Sequence, residues 1–318
     1  MKIAILTSGG DSSGMNPAIK RFVEYSIYKG YEPYLVYNGL EGLIDNNIKK
    51  ASYKDVSGII FRGGTIIKSA RSKRWYEKKY RKIAYENLKK ENIEFLIVLG
   101  GDGSFRALDI FYHEFDIPFL GIPATIDNDI ALNEYSIGVD TALNIIRTSI
   151  DEIRDTASSF KRAFVIEVMG RECGYLALSS AIANGAEMCL IPEIKYNLDS
   201  LKKRYLKEIK NGRDYFIAIV AEGVNKTNKI KEWFEKEIGF EARATILGHI
   251  QRGGNPTVFE RVMAHKFISF AIDNLENKNK IVTFYKDRFI LRNIDEIVNS
   301  NYKLDEYMLQ LAKPLMGV

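Results

Sequence analysis

Residues 95–104 read Phe95-Leu96-Ile97-Val98-Leu99-Gly100-Gly101-Asp102-Gly103-Ser104, an unbroken apolar run that stops in glycines and one acid. Five consecutive apolar residues closed by a turn signal fit a strand buried on both faces, and the amphipathic spacing of 103–114 fits a helix behind it. The same pattern opens the chain, where Ile3-Ala4-Ile5-Leu6-Thr7 runs into Ser8-Gly9-Gly10-Asp11. It returns where the run 117–122 meets Pro123-Ala124-Thr125-Ile126-Asp127-Asn128-Asp129. Further apolar runs of strand length lie at 32–37, 163–168, 188–191, 215–221 and 281–285. Helical spacing covers 15–29, 73–90, 139–157, 172–184, 198–210, 226–238, 256–276 and 303–313. Alternating strands and helices build βαβ units, hence a largely parallel sheet covered by helices on both faces. Ligands bind such sheets beyond the carboxyl ends of the strands, where all three loops fall. A chain of 318 residues exceeds the size at which single cores stop growing, which predicts two domains with a first crossing at Ser136-Ile137-Gly138.

Glycines at a strand end let the backbone approach an anion and present its N–H groups. Asp102 beside Gly101 and Gly103 suits a phosphate carrying Mg²⁺, a hard cation that needs only one or two protein carboxylates. The loop of Asp127 and Asp129 has no glycine, so there a side chain must act, and a general base is the natural role. Taken singly, the first loop could be a plain strand-to-helix turn and the second a cluster of capping residues. Cationic groups gather near other strand ends: Met169-Gly170-Arg171, His249-Ile250-Gln251-Arg252-Gly253-Gly254, Arg243, Arg62-Gly63-Gly64-Thr65 and Arg71. Arginine's rigid fork suits bidentate phosphate recognition. A metal-bound polyphosphate, a base and a second phosphate clamp together describe phosphoryl transfer to a hydroxyl of a phosphorylated acceptor.

Composition excludes more than it assigns. With 46% hydrophobic and 27% charged residues, the chain reads as an ordinary globular protein. Its net charge of +5 is densest from Lys68 to Lys82, mixed with aromatics and one acid, Glu77; no zinc-finger or RNA-binding signature supports nucleic-acid binding. Cys173 and Cys189 have no metal-ligand spacing, and so few cysteines imply a reducing compartment. The chain enters a strand immediately after Met1-Lys2 and has no apolar run near the roughly 20 residues of a membrane span, so a cytoplasmic location is expected, with no membrane partner. The spacings Gly-x-x-x-x-Gly-Lys-[Ser/Thr] and Gly-x-Gly-x-x-Gly are absent, which disfavours a P-loop ATPase and a dinucleotide dehydrogenase.

Thr7-Ser8-Gly9-Gly10-Asp11 with Gly14-Met15-Asn16, Arg62-Gly63-Gly64-Thr65, Gly100 to Ser104, Thr125 to Asp129, Met169-Gly170-Arg171 and Leu247 to Gly254 together resemble the bacterial ATP-dependent 6-phosphofructokinase family, in order and spacing, over nearly the whole chain. The resemblance implies two Rossmann-like α/β domains with the active site in the cleft between them: 1–138 with 251–302 for ATP, and 139–250 with 303–318 for fructose 6-phosphate. It makes Asp127 the general base toward the sugar's 1-hydroxyl, with Thr125 and Arg171 beside the transferred group. Gly10, Arg71, Ser72, Gly101, Asp102, Gly103 and Ser104 would hold the nucleotide, Asp102 also Mg²⁺. Thr125, Ile126, Asp127, Met169, Gly170, Arg171, Glu222, His249 and Arg252 would hold the sugar phosphate. Arg162 and Arg243 would reach the 6-phosphate of a neighbouring subunit, which implies a homotetramer with shared sites.

Gly103 stands where pyrophosphate-dependent relatives carry Asp, and Ala124 where they carry Lys, so ATP is favoured as donor. Ala124 and Ser72 nevertheless depart from the usual residues of ATP-dependent members. A pyrophosphate-dependent enzyme and a non-catalytic sugar-phosphate sensor remain alternatives. The family's effector site would involve Lys20, Arg154, Gly185, Glu187 and Arg213, but Glu24, Tyr53, Asn211 and Asp214 stand where cations are usual, so it reads as degraded.

Overall fold

A computed structural model describes all 318 residues. The regular elements begin β1 (Lys2–Thr7), α1 (Met15–Tyr28), β2 (Glu32–Val36), α2 (Gly39–Ile44), β3 (Ile48–Lys50), α3 (Lys78–Glu91), β4 (Phe95–Gly100), α4 (Asp102–Phe115) and β5 (Phe119–Pro123). They continue α5 (Val139–Phe160), β6 (Ala163–Val168), α6 (Tyr175–Ala183), β7 (Met188–Leu190), α7 (Leu198–Lys210), β8 (Phe216–Ala221), α8 (Thr227–Trp233) and β9 (Ala242–Ile246). The last are α9 (Val258–Asp273), β10 (Lys280–Tyr285), β11 (Arg288–Asn293), α10 (Ile294–Val298) and α11 (Glu306–Met316). Two compact units divide the chain: Met1–Thr141 with Arg252–Tyr302, and Ala142–Gln251 with Lys303–Val318. The first crossing therefore falls inside α5, past the Ser136–Gly138 loop.

In the first unit seven strands run in the order β11-β10-β5-β4-β1-β2-β3. The inner five are parallel, and both edges are antiparallel, β3 on β2 and β11 on β10. From β1 the chain moves outward to β2, then returns to β4 on the other side of β1. The carboxyl ends of β1 and β4 thus flank a switch point, the place where such sheets leave a crevice. Their strands are apolar on both faces because helices cover both: Ile3, Ile5, Leu6, Leu96, Ile97 and Val98 are all fully buried.

The second unit holds four parallel strands in the order β7-β8-β6-β9. Its switch point lies between β8 and β6. A core of Val165, Leu201, Tyr205, Phe216 and Phe234 packs beneath the sheet. No helix is long and apolar enough to cross a membrane.

Several elements differ from the periodicity reading. The helix expected over 73–90 is broken at Glu77, which is extended (φ −99°, ψ 126°). Ser72 Oγ accepts the Trp75 amide at 3.0 Å and Trp75 turns into the core, so a short 3-10 turn at Arg74–Tyr76 precedes α3. The helix expected over 226–238 becomes α8 and then a π-helical turn, Phe234–Ile238, ended by Gly239 at φ 82°.

Candidate active site

In the first unit the glycine loops meet at the switch point. Ser8 N donates to Leu99 O at 2.9 Å, and a side chain on Gly100 would strike Ser104 and Ser8, so only glycine lets the two loops approach. Gly101 is the extended residue before α4, and Asp102 begins that helix. The first N–H groups of a helix lack partners within it, and here they open beside Gly103, around which there is free space. Asp102 is partly exposed and paired with Arg106 at 2.8 Å. No trio of His, Cys, Asp or Glu gathers as a ready metal cage. One hard carboxylate beside an anion cradle fits Mg²⁺ delivered on a polyphosphate, which keeps most of its ligands as phosphate oxygens and water.

The segment 62–72 is laced to the first loop. Thr7 Oγ1 donates to Lys68 O at 2.8 Å, and Ser69 Oγ to Gly9 O at 2.7 Å. Asn16 Nδ2 donates to the carbonyls of Arg62 and Gly63, while its Oδ1 accepts from Ile66 N at 2.7 Å. Arg71 is exposed beside this anchored stretch, and Ser72 Oγ accepts from the Trp75 amide. Arg252 comes from the far end of the sequence to Asp11, at 3.3 Å both to its carbonyl and to its carboxylate. Its guanidinium occupies the space a side chain on Gly10 would need.

Asp127 is 5% exposed, and its amide donates to Thr125 Oγ1 at 3.2 Å; Ile126 beside it is buried. Buried Asn128, in the left-handed region at φ 51°, fixes the loop: its amide donates to Glu134 O and its Oδ1 accepts from Ser136 N, both at 3.0 Å.

In the second unit the loops after β6, β8 and β9 lie at the switch point. Glu222 Oε1 accepts from both Gly170 N (3.1 Å) and Arg171 N (2.7 Å). Gly170 at φ 132° and Arg171 at φ 52° both sit in the left-handed range, and a side chain on Gly223 would strike Arg171 O. Glu222 thus holds a strained turn whose amides face one carboxylate. Buried Gln251 accepts from Met169 N at 3.1 Å and donates to Gly248 O at 2.9 Å, tying the β6 loop to the turn that carries exposed His249.

Arg162 and Arg243 do not join this group. Arg162 precedes β6 and Arg243 is the second residue of β9, at the amino ends of the strands, and both pair with Glu241. Those two guanidiniums hold the Glu241 carboxyl below the usual carboxylate range. Parallel strands rise about 3.3 Å per residue, so the six residues of β6 separate the two ends by roughly 17 Å.

The residues read as an effector site are self-satisfied. Lys20 pairs with Glu24. Arg154 donates to Asn184 O and to Tyr215 Oη, beside Gly185 at φ 59°. Arg213 is held between Glu187 at 2.6 Å and Glu208 at 2.7 Å. Cys173 and Cys189 are buried and outside any disulfide, and burial pushes the Cys189 thiol up to about 12.

Asn16 and Gln251 lie within the glycine-rich motifs but bond backbone groups of other loops, and Glu260 lies outside those motifs. Thr257-x-x-Glu260 carries the signature of an ordinary capping box. The structure uses only half of it, because Thr257 Oγ1 caps the Glu260 amide while the Glu260 carboxylate turns elsewhere.

Two doubly wound, largely parallel sheets, each with loops gathered at its switch point, define an α/β protein of the kind that holds phosphorylated ligands. The chain belongs to the phosphofructokinase family: the model of that family, described as Phosphofructokinase, matches residues 2–275. It is 59% identical over 314 residues to an ATP-dependent 6-phosphofructokinase of Sulfurimonas denitrificans, covering 98% of both chains. It is 58% identical over 314 residues to one of Sulfurovum sp., covering 98% of this chain and 96% of that one. Among solved structures, the phosphofructokinase of Saccharomyces cerevisiae superposes with a TM-score of 0.89 at 34% identity over 94% of this chain, which spans 45% of the yeast chain.

Proposed function

We propose that this chain is an ATP-dependent 6-phosphofructokinase, transferring the γ-phosphoryl group of Mg-ATP to the 1-hydroxyl of fructose 6-phosphate to give fructose 1,6-bisphosphate and ADP. The observation that carries the reading is the 59% identity over 98% of both chains with a relative named for that activity. Asp127 takes the proton of the 1-hydroxyl as its oxygen bonds to phosphorus and the bond to ADP breaks. Thr125 and Arg171 lie beside the transferred group and offset its charge. Gly10, Arg71, Ser72 and the Gly101–Ser104 loop hold the nucleotide phosphates, and Asp102 holds Mg²⁺, which neutralises phosphate charge when bound. Met169, Gly170, Arg171, Glu222, His249 and Arg252 hold the sugar phosphate.

The placement of half-buried Arg162 and exposed Arg243 at the opposite strand ends supports a homotetramer in which they serve a neighbour's 6-phosphate. The reading places the enzyme in the cytoplasm, with the 1–138/251–302 portion binding nucleotide and 139–250/303–318 binding sugar. Open space at Gly103 supports ATP over pyrophosphate, since the α-phosphate needs that room. Arg213 and Lys20, each already paired with carboxylates, support weak regulation by ADP or phosphoenolpyruvate.

An aldolase-coupled assay with ATP and then pyrophosphate tests the reading, repeated with each effector at subsaturating fructose 6-phosphate. Turnover with ATP alone and flat effector titrations are expected. Turnover with pyrophosphate, none with either donor, or activation by micromolar ADP would overturn the corresponding part.

A further inference from the structure

Glu260 is a carboxylate with no exposed surface, and the proposed reaction makes no use of it. It accepts four hydrogen bonds: from Tyr135 Oη at 2.7 Å, Gly138 N at 2.7 Å, Thr141 N at 3.2 Å and Thr141 Oγ1 at 3.2 Å. None of these donors is a cation. Two helix N-termini stand in for one. Gly138 and Thr141 supply unpaired N–H groups at the start of α5, and Glu260 is itself the third residue of α9, its amide capped by Thr257. Each N-terminus carries the positive end of a helix dipole, which favours an anion there.

The segment that Glu260 grips lies directly behind the loop of Asp127. Asn128 is bonded to Glu134 and Ser136, and Ile137 N donates to Pro123 O at 2.8 Å, while Ala124 bridges to Ile137. Glu260 holds that segment at Tyr135 and Gly138, on both sides of Ser136. It reaches the first glycine loop as well, since a side chain on Gly14 would meet its Oε1, and Ser12 Oγ donates to Ile137 O at 2.9 Å. A single buried carboxylate therefore braces the segments behind two loops of the candidate site, all within the first unit.

We infer that Glu260 is a positioning residue for phosphoryl transfer: by clamping residues 135–141 it fixes Asn128 and so the carboxylate of Asp127. The inference rests on the function proposed above. A misplacement of about 1 Å at a reacting group can cost on the order of 10²-fold in rate even when the altered residue is remote.

Glu260→Gln keeps shape but turns an amide N–H₂ toward groups that are themselves donors. It should lower kcat by about 10- to 100-fold while the KM values for ATP and fructose 6-phosphate stay within about 3-fold. Glu260→Asp, which keeps both acceptor oxygens, should recover part of that loss. Hydrogen exchange should quicken at residues 127–138 and not across the rest of the unit. Unchanged kcat, KM values that rise in step with the loss, or exchange that quickens everywhere would overturn the inference. Should Glu260→Gln fail to fold, Tyr135→Phe decides: it removes one donor, keeps the ring, and should lower kcat about 3- to 10-fold at unchanged KM. A wild-type enzyme without ATP-dependent turnover defeats the functional reading instead, so the two failures are distinguishable.

Discussion

Asp127 sits on a short loop whose geometry comes from its neighbour. Asn128 tolerates the left-handed backbone that bulkier residues resist, and its side-chain amide bonds two backbone groups, Glu134 O and the buried Ser136 N. Asp127 is thereby held nearly buried on a fixed loop. Asp127→Asn preserves this shape and removes the proton acceptor. It should lower kcat by roughly 10²–10⁴-fold with an unchanged circular dichroism spectrum, and near wild-type kcat would defeat the assignment of the base. At this scale the loops of Gly100–Ser104 and Thr125–Asp129 were legible because glycines and acids interrupt apolar runs there, where β4 and β5 end. Asn16, Gln251 and Glu260 were not, because their role is to bond backbone groups distant in sequence. Gln251 reaches Met169 and Glu260 reaches Gly138, and no local pattern announces either partner.

Among the elements, α3 shows how a charged helix is fastened to a sheet. Its exposed face carries Lys78, Lys82, Lys89 and Lys90, while Ala84 and Leu88 enter the core. Arg81, 7% exposed, crosses to α4, where Nε and Nη2 bind the two oxygens of Glu114 at 2.7 and 2.8 Å and Nη1 donates to Trp75 O at 2.6 Å. Arg81 holds the Glu114 carboxyl below its ordinary value. Removing one member leaves a buried charge alone, so Glu114→Gln should cost about 3 kcal/mol of stability near neutral pH. A carboxylate with a depressed folded-state pKa stabilises above its unfolded value of 4.5 and loses that contribution as pH falls through the folded value. The gap between wild type and variant in thermal melts should therefore be widest near neutrality and shrink in acid. A gap that is constant with pH would show that packing, not charge, is lost. The buried parallel strands were legible as apolar runs, whereas β3 and β11 were not. Both are edge strands, and β11 confines its apolar run to Phe289-Ile290-Leu291 between Arg288 and Arg292. Its hairpin turns on Lys286 and Asp287, both at positive φ, instead of the usual Asn-Gly.

For the whole molecule, the two ends of the second unit's parallel strands carry different groups of residues. Met169, Glu222 and His249 follow the carboxyl ends, while Arg162 and Arg243 stand at the amino ends with Glu241 as their partner. Parallel strands cannot bring their two ends to one ligand, so arginines at the amino ends serve a 6-phosphate only if it belongs to another copy of the chain. Alternation of strands and helices made both sheets legible, but it could not disclose this division, because assembly is set by surfaces that no single-chain periodicity encodes. Under the proposed tetramer, Arg243→Ala should raise the KM for fructose 6-phosphate by the equivalent of roughly 2–5 kcal/mol if the charge pair is desolvated, and leave that for ATP nearly unchanged. An Asp127→Asn subunit retains Arg243, and an Arg243→Ala subunit retains Asp127. Random reassembly of equal amounts should pair an intact base with an intact neighbouring arginine in about one quarter of sites, restoring about that share of activity at low sugar phosphate. If tetramers shown by mass spectrometry to be mixed stay as inactive as their parents, the two arginines do not serve a neighbour's site.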